Sequence, residues 1–227
     1  MKRKTQTNLS PHLPSFEAVI FDMDGVLVDS ESFYKRMEKK LFRQLGLKVS
    51  EKEHQTYQGT ATDRMWQIIK EKHGLKQPVE ELFEMTNALV TSYFNTLEKM
   101  DPMPGVEPLI IKLKGKGVHL AVASSSFPDA IDAILKKTGL EKYFDLVVDS
   151  RMGIASKPDP GIFLLAAKKM NLLPEKCLVI EDSSNGIKAA KRAGIFCIAF
   201  AGPGSEFQDQ TEADWIISDF GQLMGLP

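Results

Sequence analysis

Two cysteines, Cys177 and Cys197, are all that the 227 residues contain. Each sits in an apolar, strand-like run, so they read as buried, reduced thiols of a cytosolic protein rather than a disulfide framework. Charge of one sign is also missing. With 29 basic and 30 acidic side chains the net charge is -1, and the signs are mixed along the chain. No basic stripe speaks for nucleic acid. No apolar run is long enough to span a bilayer, which excludes a helical membrane protein. The lead Met1–Ser15 is polar and basic, carries Pro11 and Pro14, and lacks the apolar centre of a secretory signal. Residues 1–15 therefore read as a disordered tail in a cytoplasmic protein, and the glycosylation-like Asn8-Leu9-Ser10 carries no weight. Internal repeats and low-complexity segments are absent as well.

What is present suffices for a core. Hydrophobic residues make up 43%, enough for one domain or a core with a smaller insert. Five short apolar runs read as strands: Ala18–Phe21, Val118–Ala123, Leu146–Val148, Cys177–Ile180 and Ile195–Phe200. Helical spacing marks Glu107–Lys116, Asp129–Thr138, Pro160–Met170 and Asn185–Ala193. Pro160 suits a first turn, and Gly139 and Gly194 suit helix ends. Such alternation predicts an α/β fold, a doubly wound parallel-sheet (Rossmann-like) core.

Residues 31–100 break the rhythm. They hold several amphipathic stretches and no convincing strand: Met37, Leu41 and Leu45, then Trp66, Ile68 and Ile69, then Leu82 to Leu97. Ser30 is placed to cap the first helix. Asp101-Pro102-Met103-Pro104-Gly105 returns the chain to the core. The expected organisation is a core of residues 16–30 and 101–227, with residues 31–100 inserted as an α-helical cap that can close over the strand ends.

Ligands of open α/β sheets bind outside the carboxyl ends of the strands. The first strand delivers Asp22-Met23-Asp24-Gly25, two carboxylates on one side of the chain. Such a pair can share a metal while one attacks phosphorus and the other handles the proton. The second strand delivers Ser124-Ser125-Ser126. Ser156-Lys157-Pro158 follows the third, and the fourth delivers Glu181-Asp182-Ser183. Asp22, Asp24 and Asp182 are hard oxygen ligands suited to Mg²⁺. Lys157, Ser124 and the Ser125 amide suit phosphate oxygens. Ser183 or Ser184 caps the next helix. Each set alone would be an ordinary turn or helix start; their order at successive strand ends points to one site.

The ordered set resembles the haloacid dehalogenase superfamily, and more closely its β-phosphoglucomutase-like branch with a helical cap. The matching segments are Asp22 to Ser30, Ala123 to Ser126, Lys157 to Pro160, and Val179 to Ser183 with Gly186 to Gly194. The resemblance implies that Asp22 is a nucleophile forming an aspartyl-phosphate and Asp24 the general acid/base. It implies that Asp22, the Asp24 carbonyl and Asp182 hold Mg²⁺, with Glu181 ligating directly or through water. Ser124, the Ser125 amide and Lys157 would hold the phosphoryl group. The second aspartate argues against dehalogenation, because halide departure needs no proton donor.

The expected function is a Mg²⁺-dependent phosphatase of small phosphomonoesters, sugar phosphates foremost, acting as a monomer. The alternative is a β-phosphoglucomutase; a phosphoacceptor module is disfavoured by the paired aspartates and the large insert. A mutase needs donors for a second phosphate under the cap. Its pattern has Arg three positions after the cap-loop Gly, where Thr62 follows Gly59 here, and Lys-Asn after the serines, where Phe127-Pro128 stands. Gly59 and the displaced Arg64 are the expected cap contacts with substrate, with Lys70 a further candidate and Trp66 a specificity residue.

Overall fold

The computed structural model describes residues 13–57, 59–149 and 152–226. Most of the expected disordered lead, with Asn8-Leu9-Ser10, lies outside these residues. Leu13 and Phe16 pack against the core.

Six strands form one parallel sheet in the order β3-β2-β1-β4-β5-β6. They are β1 (Ala18–Phe21), β2 (His119–Ala123), β3 (Leu146–Val148), β4 (Cys177–Glu181), β5 (Phe196–Phe200) and β6 (Trp215–Ile217). The sequence shows five of these. β6 is three residues long at the sheet edge, with no alternation to mark it. Its pairing with β5 brings Trp215 beside Ile198. Asp214 anchors its start by accepting from the Cys197 amide at 2.8 Å.

Period-two alternation divides the strands between two faces. Val19 and Phe21 face a cluster with α5 (Val106–Gly115) and α6 (Pro128–Thr138). Ala18 and Ile20 face the other side, where α7 (Gly161–Lys169) and α8 (Ser184–Arg192) pack. On that side the strands present Ala121, Ala123, Cys177, Cys197 and Ala199. Small residues there let Ala189 and Ala190 of α8 approach the sheet closely. Both cysteines are buried and unpaired.

Between β1 and α5 lie four helices, α1 (Glu31–Gln44), α2 (Glu51–Gln55), α3 (Thr62–His73) and α4 (Val79–Thr96). They enclose their own cluster of Leu41, Phe42, Tyr57, Met65, Trp66, Ile69 and Leu82. Trp66 is at its centre, fully buried, and its indole N–H donates to Thr86 at 2.8 Å. Trp66 therefore packs this block; truncating it to Ala would cost about 3–5 kcal/mol. The ends of the block belong to the larger core. Val90 and Phe94 join the α5–α6 cluster, and Phe83 lies edge-on to Phe127 at 4.7 Å.

No helix among the described residues is long and apolar enough to cross a membrane.

Candidate active site

The first carboxylates stand where β1 ends. The Asp22 amide still donates to Ile180 at 2.9 Å, continuing the ladder. The Met23 carbonyl then accepts from the amides of Val26, Leu27 and Val28, and the chain turns. Met23 is completely buried, so its side chain goes into the core while Asp22 and Asp24 leave on the other side. Gly25 has φ +80°, and a Cβ there would lie 2.2 Å from Asp182 Oδ2. Both its handedness and its lack of a side chain are needed to bring Asp182 against the loop.

Lys157 ties three strands together. Its ammonium donates to Asp22, to Glu181 Oε1 at 2.7 Å and to the Ala123 carbonyl at 3.0 Å, using all three protons. Its nitrogen also lies 5.0 Å from the Phe163 ring centroid. Glu181 Oε2 accepts from the amides of Asp182 at 2.9 Å and Ser183 at 2.8 Å, and from Ser183 Oγ at 3.0 Å. A Cβ on Gly186 would collide with Glu181 Oε1 at 1.6 Å, so this glycine makes room for the buried carboxylate. Ser183 is the cap of α8, its hydroxyl accepting from the Gly186 amide.

Asp24 is held differently. Its carboxylate accepts from the hydroxyls of Ser30 and Ser126. Ser30 begins α1 without capping it through its side chain, a departure from the expected helix cap. The carboxylate has taken the hydroxyl instead. Ser126 Oγ in turn accepts from the Tyr34 hydroxyl at 3.0 Å, and its amide donates to Ser124 Oγ at 3.1 Å. Ser125 Oγ is buried and has no hydrogen-bond partner among the described residues.

Oxygens of Asp22, Glu181 and Asp182 lie within 4.8 Å of one another. With Asp24 there are four carboxylates against one ammonium. Burial pushes Asp22 up to about 8, with Glu181 and Asp24 adding and Lys157 opposing. Asp182 is likewise driven well above the carboxylate range by burial, then by Glu181 and Asp22. Burial also raises Asp24, against the hydrogen bonds from Ser126 and Ser30. Lys157 loses by burial but gains more from Asp22 and Glu181, so it is held firmly protonated. Such a cluster is short of positive charge, and a hard divalent cation fits it.

These groups line a cavity of about 150 Å³. Its strand side carries Asp22, Asp24, Ser124, Ser125, Lys157, Glu181 and Asp182; its helical side carries Tyr34, Lys35, Glu38, His54, Tyr57 and Gly59. Gly59, expected at the site, lines it, and its carbonyl accepts from Asn185 Nδ2 at 2.8 Å. Gln208 sits alongside, with its Oε1 accepting from the Ser184 amide at 2.9 Å. Two expectations are corrected. Arg64 is exposed on α3 and does not line the cavity. Lys70 is spent on the carbonyls of Leu75, Lys76 and Gln77, closing the end of α3. Arg64 lies on the solvent side of a helix whose other face is filled by Met65, Trp66 and Ile69, and Lys70 is half-buried at its flank.

A family model described as haloacid dehalogenase-like hydrolase matches residues 19–200. The chain belongs to the haloacid dehalogenase-like hydrolase family. Among its relatives, a phosphorylated carbohydrates phosphatase of Thermotoga maritima is 36% identical, the match covering 79% of this chain and 82% of that one. A beta-phosphoglucomutase of Bacillus subtilis is 28% identical over 91% of both chains. The crystal structure of CbbY from Rhodobacter sphaeroides with xylulose-(1,5)bisphosphate superimposes with a TM-score of 0.83 at 26% identity, covering 93% of this chain and 97% of that one. As a haloacid dehalogenase-like hydrolase the chain is an enzyme, and its sheet of parallel strands is the family's Rossmann-like core.

The sequence reading missed Tyr34, Glu38 and His54. A signal for two of them exists: Tyr34 and Glu38 are four residues apart and so share one face of α1.

Proposed function

We propose that this protein is a Mg²⁺-dependent phosphatase of small phosphomonoesters, sugar phosphates foremost, working through a phosphoenzyme at Asp22. The observation that carries this is the unequal setting of the two aspartates: Asp22 lies against Lys157, while Asp24 is held apart by Ser30 and Ser126. Groups with separate environments can divide nucleophilic and proton-transfer work.

An Asp22 oxygen attacks phosphorus as the bond to the leaving alkoxide breaks, and Asp24 gives that alkoxide its proton. Asp24, now ionised, takes a proton from water as the water attacks the aspartyl-phosphate. Inorganic phosphate leaves and Asp22 is restored. Lys157, Ser124 and the Ser125 amide hold the phosphoryl oxygens, and the partnerless Ser125 hydroxyl is a further donor at the same strand end. Asp22, Asp182 and the Asp24 carbonyl would hold Mg²⁺, with Glu181 ligating directly or through water. The ion would neutralise phosphoryl oxygens and keep Asp22 ionised. The four helices serve as the cap, and a reducing, cytoplasmic setting suits the two free thiols.

Water is favoured over a second sugar phosphate as acceptor. Arg64 and Lys70 are turned to other surroundings, and Phe127 is buried against Phe83. The test is phosphate release from a panel of sugar monophosphates with Mg²⁺, beside Asp22→Asn. Release abolished in the variant supports the reading. Isomerisation of β-glucose 1-phosphate with negligible release, primed by glucose 1,6-bisphosphate, would overturn it in favour of the mutase.

A further inference from the structure

The helical wall of the cavity contains an acid–imidazole pair, its histidine buried and its glutamate half-buried, that the phosphoryl chemistry does not use. Glu38 of α1 and His54 of α2 hydrogen-bond through Oε2 and Nε2, and both line the cavity. His54 is 3% exposed and Glu38 side chain 15% exposed. His54 is fixed from behind by Phe42, edge-on at 5.1 Å. A half-buried carboxylate there is held in place by the hydrogen bonds it accepts. His54 satisfies one oxygen and locks the side chain, while the residue keeps its place on the cavity wall.

We propose that Glu38, positioned by His54, is the acceptor for substrate hydroxyls, so that the enzyme takes phosphomonoesters of polyols or sugars and disfavours a second phosphate group. The inference rests on the phosphatase reading above and adds the chemistry of the rest of the substrate. An ionised carboxylate is acceptor-only and pairs with the O–H groups of a polyol, which no phosphate dianion can offer it. For a bisphosphate the same carboxylate is a like charge on the wall of a half-open, largely polar cavity. Lys35 and Lys157 are the lysines lining the cavity among the described residues, and Lys35 lies one turn before Glu38 on α1. A second phosphate would therefore meet one ammonium and one carboxylate together. The cavity of about 150 Å³ is below the ~300 Å³ that drug-sized ligands need, which suits a short polyol chain. Within the cap wall, Thr60 and Thr62 add small polar neighbours.

The experiment compares kcat/KM of the wild type, Glu38→Gln, Glu38→Asp and His54→Gln for three esters with Mg²⁺: a polyol monophosphate, phenyl phosphate and a hexose 1,6-bisphosphate. The expected result is that Glu38→Gln lowers the polyol-to-phenyl ratio about ten- to hundredfold, the worth of a hydrogen bond to a charged group. The bisphosphate-to-monophosphate ratio should rise in the same variant. His54→Gln should shift both ratios in the same directions by less, as a positioning residue would. Glu38→Asp keeps the charge and shortens the reach, so the polyol ratio should fall without the gain on bisphosphate. Ratios unchanged within about twofold, or a wild type that prefers the bisphosphate, would overturn the inference while leaving the phosphatase intact. A wild type silent on all three esters would overturn the phosphatase reading and the inference with it.

Discussion

The Ser126 hydroxyl donates to the Asp24 carboxylate across a separation of 102 residues in sequence. It binds the loop after β2 to the loop after β1, and through Tyr34 it reaches α1 of the helical block. Asp24, the proposed proton donor, is thus supported both by the loop after β2 and by the start of α1.

Removing the Tyr34 hydroxyl should expose that support. Tyr34→Phe keeps the ring against Phe94, whose centroid is 6.2 Å away. The expected outcome is a fall in kcat of roughly three- to tenfold with little change in KM, and a larger fall in Ser126→Ala, which removes one of the hydroxyls that hold Asp24 directly. Steady-state kinetics on both variants checks this; wild-type kcat in Ser126→Ala would separate the hydroxyl from the chemistry.

Asp22→Asn should abolish turnover, because an amide is neither a nucleophile nor an anionic ligand. Acid-quenched labelling with radioactive substrate should trap phosphate on the wild-type protein and none on the variant. Label retained by the variant would move the nucleophile elsewhere.

Asp24→Asn should slow turnover by ~10²–10⁴, the usual worth of general acid/base catalysis. Mg²⁺ affinity by calorimetry should persist, since the proposed ligand at this residue is its carbonyl. Loss of the ion together with activity would overturn the division of labour between the aspartates.

Lys157→Ala should destabilise as well as inactivate. It removes the ammonium from buried Asp22 and Glu181, and breaking such a pair on one side costs about 3–5 kcal/mol. Thermal melts should show a lowered Tm that Mg²⁺ restores more strongly than it raises the wild type, because the ion supplies the missing charge. An unchanged Tm without metal would contradict the charge balance described for the cluster.

Glu53 gives a pH dependence remote from the site. His73, then Tyr57 and Lys72, hydrogen-bond it and hold its carboxyl down to about 2 against burial. The unfolded carboxyl titrates near ~4.3. A depressed folded pKa stabilises above the unfolded value, and that stability is lost as pH falls from there towards 2. Glu53→Gln should cost about 1–2 kcal/mol at neutral pH, and the gap to wild type in denaturant melts should close across that acid window. A gap constant with pH would mean the ionised carboxylate is not what holds α2 to α3.

Much of the core site was legible from the chain alone, because strand ends are local. Asp22, Asp24, Ser124 and Glu181-Asp182 each follow an apolar run, and a parallel sheet with crossover helices must put those ends on one edge. Lys157 was legible by order, although its three-way bridge to Asp22, Ala123 and Glu181 was not. β6 escaped because three edge residues carry no period. Arg64 and Trp66 were misjudged for a common reason: amphipathic spacing tells that α3 has two faces, but not what each face meets. Met65, Trp66 and Ile69 turned inward, which left Arg64 in solvent.

Periodicity and near neighbours specify five of the six strands, the helix alternation and the chemical types at the strand ends. Long-range packing sets which hydroxyls hold Asp24, turns Ser30 to the carboxylate instead of to the cap of α1, and brings Glu38 and His54 together on the cavity wall. Those contacts depend on how α1 and α2 dock over the strand ends. Docking is set by packing between surfaces distant in sequence, such as Phe83 on Phe127 and Phe94 in the core, and no local pattern encodes it.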